Sequence, residues 1–199
     1  MDKTKNITTR ERILNSALTL FAEKGYDGVG VDLIAEKAGL KGPSIYKHFK
    51  SKEEILDVLI NQVENYYATN FGSEMNVGKI PDTVDELINR SLERIEFTLH
   101  DETIKKVRRV LSMEQFRNPR IAQIFTRHSM DSIQGMYRKI FEGMMDTGLI
   151  KKDDPHMLSM SFAAPITLLI QMCDREPERE NEAMEQIKDY LYYAVRRLN

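Results

Sequence analysis

Ser44, Tyr46, Lys47, His48, Lys50 and Lys52 bring hydroxyl, imidazole and ammonium donors into one short stretch, with Lys41 and Gly42 just before it. Such donors are what phosphate oxygens and base edges accept. No carboxylate interrupts from Gly39 to Lys52, and a surface that meets a polyanion needs that absence. Signs of catalysis are missing elsewhere. The chain has no GxSxG, no P-loop and no HExxH. His48, His100, His128 and His156 lie far apart, and no Cys/His spacing fits zinc. Cys173 stands beside Asp174, whose carboxylate raises a thiol's pKa. Glu93 and Glu96 read more simply as a solvated helix face than as an acid/base pair. The expectation is no catalytic residue, no metal and no cofactor: not an enzyme.

The elements that must hold those donors follow from spacing. Val31, Ile34, Ala35 and Ala38 recur at i, i+3, i+4 and i+7, one face of a helix. Gly39 suits the left-handed residue that ends it, and Leu40 can plug the turn. A second short helix opens near Gly42-Pro43-Ser44, with Pro in the first turn. Ile45 and Phe49, four apart, face back toward the first helix. Two helices joined by a short Gly-containing turn make a helix-turn-helix. Upstream, Thr8 and Glu11 form a capping box for a helix with Ile13, Leu14, Ala17, Leu20 and Phe21 inward, stopping at Gly25. Downstream, Ser51 and Glu54 form another, opening a helix to about Asn70. Lys52 in its first turn sits by free backbone donors and the positive dipole end, an anion site, although a solvated lysine is the alternative. Lys3 and Lys5 could touch phosphate, but a frayed polar arm is the simpler account.

The segment IAEKAGLKGPSIYKHFKSKEEIL resembles the DNA-binding signature of the TetR family of transcriptional regulators, and RILNSALTLFAEKGYDG resembles that family's first helix and its exit. The match runs from about Thr9 to Leu56. It implies a DNA-binding domain over 1–52 and an effector-binding and dimerisation domain over 53–199. By the resemblance, Ser44 and Lys47 meet base edges, Tyr46, His48 and Lys52 hold phosphates, and Lys41 and Gly42 lie at the helix entry. The chain departs from the pattern in two places. Val29 and Gly30 stand where Thr or Ser is common, and Lys41-Gly42-Pro43-Ser44 stands where Ser-x-Gly-Thr is common. The family implies a ligand-responsive regulator, most simply a repressor that leaves a palindromic operator when a small molecule binds. An activator, or a DNA-tethering protein with no effector, is the alternative.

Composition agrees. The chain has 199 residues, 41% of them apolar, enough for a substantial core. Net charge is −2, yet up to Lys52 ten Lys and Arg face six Asp and Glu, so the basic end carries the helix-turn-helix. One cysteine fits a reducing compartment. No uninterrupted apolar run reaches the roughly 18 residues of a membrane span, and MDKTKNITT lacks a signal-peptide core, so a cytoplasmic protein without membrane contact is expected.

Residues 71–80 read as a loop, with further helices over about 81–99, 101–116 and 120–146. The predicted fold is all-α, a three-helix head and a larger helical body, about nine helices in all. The last two, about 155–174 and 178–198 across a charged DREPEREN linker, are more apolar than one subunit needs. That predicts a homodimer through a four-helix interface. The resemblance places an effector pocket among helices 4 to 7. Tyr66, Phe97, His100, Phe125, His128, Met136 and Phe162 are candidate handles there, each also readable as ordinary core. The abundant methionines would make an adaptable lining for a hydrophobic effector.

Overall fold

The computed structural model describes residues 7–71 and 76–198. Lys3 and Lys5 lie outside these, as do residues 72–75 of the expected loop. The elements are α1 (Thr9–Lys24), α2 (Val31–Lys37), α3 (Gly42–Ile45), α4 (Lys52–Phe71), α5 (Val84–His100), α6 (Glu102–Glu114), α7 (Pro119–Thr126), α8 (Ser132–Asp146), α9 (Pro155–Arg175) and α10 (Glu180–Val195). A π-helical turn, Arg127–Asp131, carries α7 into α8 without a break. Those two therefore form one rod over 119–146, and the described residues hold nine rods in an all-α fold. The charged linker is shorter than expected. Arg179 pairs with Glu176 at 3.2 Å and Glu182 at 2.8 Å, three residues to either side. These contacts favour a 3-10 turn, Pro177–Arg179, that leads directly into α10.

The chain forms two compact units, one of residues 1–65 with 102–122, the other of 66–101 with 123–199. The first is built on α1. At its start Thr8 Oγ1 accepts the Glu11 N–H at 3.2 Å while the Glu11 carboxylate accepts the Thr8 N–H at 2.8 Å, the reciprocal cap that the sequence predicts. Ile13, Leu14, Ala17 and Phe21 are buried, as are Ile34 of α2, Ile45 of α3 and Ile55 and Leu59 of α4. Helix α6 packs along α1 through Ile104, Val107, Val110 and Leu111.

The second unit closes over an aromatic centre. Phe162 meets the edges of Tyr137 and Phe141, with centroids 4.8 and 5.4 Å apart. Leu87, Ile88, Met136, Ile166, Ile187 and Leu191 fill in around it. Asp154 caps α9 by accepting the N–H groups of His156 and Met157 at 2.8 and 3.2 Å, with Pro155 at the first position.

Helix α9 runs unbroken through Pro165. Proline has no N–H to give the carbonyl four residues back, that of Ser161. The Tyr190 hydroxyl of α10 donates to that carbonyl instead. By length and composition alone α9 could cross a membrane, although the chain has no uninterrupted apolar run of that length. A core helix passes the same test, and Phe162, Ala163, Ile166, Ile170 and Cys173 are buried against the rest of the unit.

Candidate nucleic-acid interface

The turn between α2 and α3 forms around Gly39, whose φ of 67° lies in the left-handed region. There any side chain costs roughly 1–2 kcal/mol. The Leu40 N–H reaches back to the Ala35 carbonyl at 2.8 Å, closing the end of α2. Leu40 itself is half-buried beneath the turn. The regular part of the second helix is brief, Gly42–Ile45, started by the Ser44 N–H to the Lys41 carbonyl at 2.8 Å. Turns continue it, with His48 and Phe49 N–H groups both bonded to the Ile45 carbonyl, at 2.9 and 3.0 Å. Ile45 and Phe49 are buried, and Arg10 of α1 lies over the Phe49 ring at 4.8 Å. This seam fixes which side chains face outward.

Tyr46, Lys47, His48, Lys41 and Lys50 are exposed, and Ser44 and Gly42 are half-buried among them. Tyr46 keeps 62% of its surface free, unusual for a tyrosine with no packing partner to claim it. Among the described residues Lys41 and Lys47 have no ion-pair partner. These side chains thus lie outward around the buried seam, with no Asp or Glu among residues 41–50, although the Asp32 carboxylate of α2 stands against Gly42.

Lys52 is held differently. Its Nζ donates to the Tyr26 carbonyl at 2.9 Å and sits 4.2 Å from the Tyr26 ring centroid. An ammonium has three donors, so two stay available. Burial, and then the Glu53 carboxylate beside it, push the Tyr26 phenol well above its ordinary value. Glu53 is held below the usual carboxylate range by its own backbone N–H, by Ser51 and by Tyr26. The start of α4 is close to the predicted capping box. Ser51 Oγ accepts the Glu54 N–H at 3.3 Å, but the Glu54 carboxylate reaches the N–H of Lys50, one residue earlier.

Sequence reasoning missed Glu114. Buried at the end of α6, its Oε1 accepts the Tyr26 N–H at 2.9 Å. Gly25, with φ 77°, leaves room for it, since a Cβ there would stand 2.7 Å from Glu114 Oε1. The contact spans 88 residues of sequence, and no local pattern announces it.

In the second unit a cavity of about 400 Å³ opens between the end of α4, residues 76–81, α5 and α8. Of the candidate effector residues, Met136 lines it. Tyr66 and Phe97 stack at 4.7 Å, and Phe97 packs on Phe71, a lining residue, at 5.2 Å. His100 is exposed and bonded to Glu180 at 2.8 Å. Phe125 and His128 are half-buried, Phe162 belongs to the aromatic core, and none of these four lines the cavity.

Arg94, absent from the expected set, does line it. It stands seven residues after Leu87 and three after Ser91, on the buried stripe of α5. An arginine at that spacing was the available signal.

Residues 13–59 match the family profile of bacterial regulatory proteins, tetR family. The biofilm operon icaADBC HTH-type negative transcriptional regulator IcaR of Staphylococcus epidermidis is 28% identical, over 48% of this chain and 68% of that one. Its Staphylococcus aureus counterpart is 46% identical over 48 residues, 24% of this chain and only 26% of that protein. Among solved structures, SmeT, the repressor of the Stenotrophomonas maltophilia multidrug efflux pump SmeDEF, shares the fold. Its TM-score is 0.72 at 21% identity, over 94% of this chain and 90% of that one. A complex of SmeT with triclosan matches with a TM-score of 0.73, also at 21% identity, over 90% of this chain and 89% of that one. The profile falls on the helix-turn-helix whose outward donors are described above. Over residues 13–59, the segment that carries the helix-turn-helix, the chain matches the bacterial regulatory proteins of the tetR family, and over 94% of its length it shares the fold of SmeT.

Proposed function

We propose that this protein is a repressor that binds a palindromic operator as a homodimer and leaves it when a small molecule occupies the cavity of its second unit. The observation that carries the reading is the outward face of Ser44, Tyr46, Lys47 and His48, set on the buried Ile45/Phe49 seam with no carboxylate among them. Ser44 and Lys47 read base edges; Tyr46, His48 and Lys52 hold phosphates, with Lys41 and Gly42 at the entry to the helix. Residues 1–52 serve DNA binding and 53–199 serve effector binding and dimerisation. The negative regulation named for IcaR and the repressor role named for SmeT support repression. A chromosomal operator implies work in the cytoplasm.

Pairing of two copies is supported by what a single chain leaves uncovered. Met157, Met160, Ala164 and Leu168 recur at three- and four-residue spacing along α9, all exposed, and Tyr192 and Tyr193 of α10 are exposed as well. A continuous apolar stripe of this kind marks an interaction surface. A two-fold dimer presents two recognition helices and so requires inverted half-sites.

Release by a ligand needs different affinities for the DNA-bound and free states. A coupling of about 1–3 kcal/mol changes operator affinity about 5- to 150-fold. Triclosan bound to SmeT supports a small-molecule effector here. A transcriptional reporter driven by the promoter next to this gene tests the reading. Deleting the gene should raise expression several-fold, and supplying it in trans should restore the low level. Expression that falls on deletion would make it an activator and overturn the repressor reading.

A further inference from the structure

Three groups in the cavity of the second unit are positively charged, and two already have their carboxylates. Lys79 pairs with Asp82. Arg90 pairs with Glu86 and also donates to the Lys79 carbonyl. Arg94 is the exception. Among the described residues no Asp or Glu pairs with it. Its Nη1 donates to the Met136 thioether at 3.0 Å, a weak acceptor, and its guanidinium lies 4.9 and 5.7 Å from the ring centroids of Tyr67 and Phe71. A guanidinium has five donors in a planar fork, and these contacts leave most of them without a strong acceptor. Burial disfavours its charge and holds its pKa below the ordinary arginine value.

Among the described residues no hydroxyl accepts a hydrogen bond from Arg94. Tyr137 donates to Ser91 Oγ at 3.0 Å, and Ser91 donates onward to the Leu87 carbonyl at 2.7 Å. Glu93 also borders the cavity, but it is exposed and turned to solvent rather than bonded to Arg94. Leu87, Met136 and Ile140 give the cavity an apolar part, beside polar lining from Asn70, Asn76 and Ser91. The volume of about 400 Å³ lies within the usual range for small-ligand sites, about 300–1,000 Å³.

We infer that this cavity takes an organic carboxylate, its charge bonded to the Arg94 fork and its apolar body laid along Leu87, Met136 and Ile140. The geometry suits a carboxylate well, since the two oxygens match two parallel N–H groups of the fork. This deepens the effector reading proposed above and rests on it.

The test is calorimetric titration of the full-length protein with octanoate, decanoate and 4-phenylbutyrate, each beside the alcohol of the same skeleton. At least one carboxylate should bind below about 1 mM and at least about tenfold more tightly than its alcohol, the margin expected of a charge-assisted pair. Arg94→Met should abolish that preference while keeping helix content by circular dichroism, because an apolar side chain replaces a desolvated charge. Arg94→Lys, which keeps the charge without the fork, should fall between, and gives the readout should Arg94→Met fail to fold. Alcohols that bind equally well, a preference that survives both variants, or no carboxylate binding at that concentration would each overturn the inference. Footprinting of the wild-type protein on DNA beside its own gene, without added ligand, separates the two levels. A footprint with no carboxylate preference sinks this inference alone, whereas no footprint sinks the regulator reading beneath it.

Discussion

Lys47 and Lys52, five residues apart, stand in different surroundings. Lys47 projects freely, whereas Lys52 is bonded to the Tyr26 carbonyl and laid over its ring. Lys47→Ala is therefore expected to relax preference at one position of each half-site, by about 1–3 kcal/mol against the wrong base. A binding-site selection that returns the wild-type sequence unchanged would deny it a base contact. Lys52→Ala should weaken specific and unrelated DNA alike and lower the salt slope of binding by about one. If the slope stays and only stability falls, the lysine serves the Tyr26 turn alone. Tyr26 has a signature of its own. Burial favours its neutral phenol, so the folded pKa lies above the unfolded value of about 10. Its contribution is complete below that pH and fades as pH rises past it, because the unfolded chain loses the proton first. Denaturant unfolding from about pH 8 to 11 should show a steeper loss for wild type than for Tyr26→Phe; equal slopes would refute the assignment.

Between elements, the contacts that matter most are those made over long stretches of sequence. Glu114→Ala takes the acceptor from the buried Tyr26 N–H and should cost about 1–3 kcal/mol in urea unfolding. A midpoint that does not move would mean that water replaces the carboxylate. On the other side of the chain, Tyr190→Phe leaves the Ser161 carbonyl without its donor, a cost of about 0.5–1.5 kcal/mol. Pro165→Ala restores an N–H to that carbonyl. The cost of Tyr190→Phe should then shrink in the Pro165→Ala background, and a double-mutant cycle with no coupling would disprove the link.

These contacts also mark how far the sequence could be read. The Thr8–Glu11 cap, the stop at Gly39 and the Ile45/Phe49 seam are local, fixed by residues three or four apart, and all were legible. The outward donors were legible for the same reason, because the seam decides their direction. Glu114 and the Tyr190–Ser161 bond depend on which helices meet, which periodicity does not encode. Arg94 was hidden by its charge, which suggests a solvated face although its spacing lies on the buried stripe. The π turn at Arg127–Asp131 adds a residue to the helix register without any Pro or Gly to betray it.

For the whole molecule, the uncovered stripe on α9 makes dimerisation and operator symmetry one claim. Leu168, 62% exposed, would lie within the interface, so Leu168→Lys should shift the protein toward monomer in sedimentation equilibrium and weaken operator binding with it. A variant that stays dimeric would move the interface elsewhere. The most direct measurement is footprinting of the purified protein on the DNA flanking its own gene at low salt. The account predicts two protected, inverted half-sites whose centres lie one helical turn, about 10 base pairs, or a multiple of it apart, both lost together in Lys47→Ala at higher salt. Protection of a single unrepeated site, or none on any inverted repeat near the gene, would contradict it.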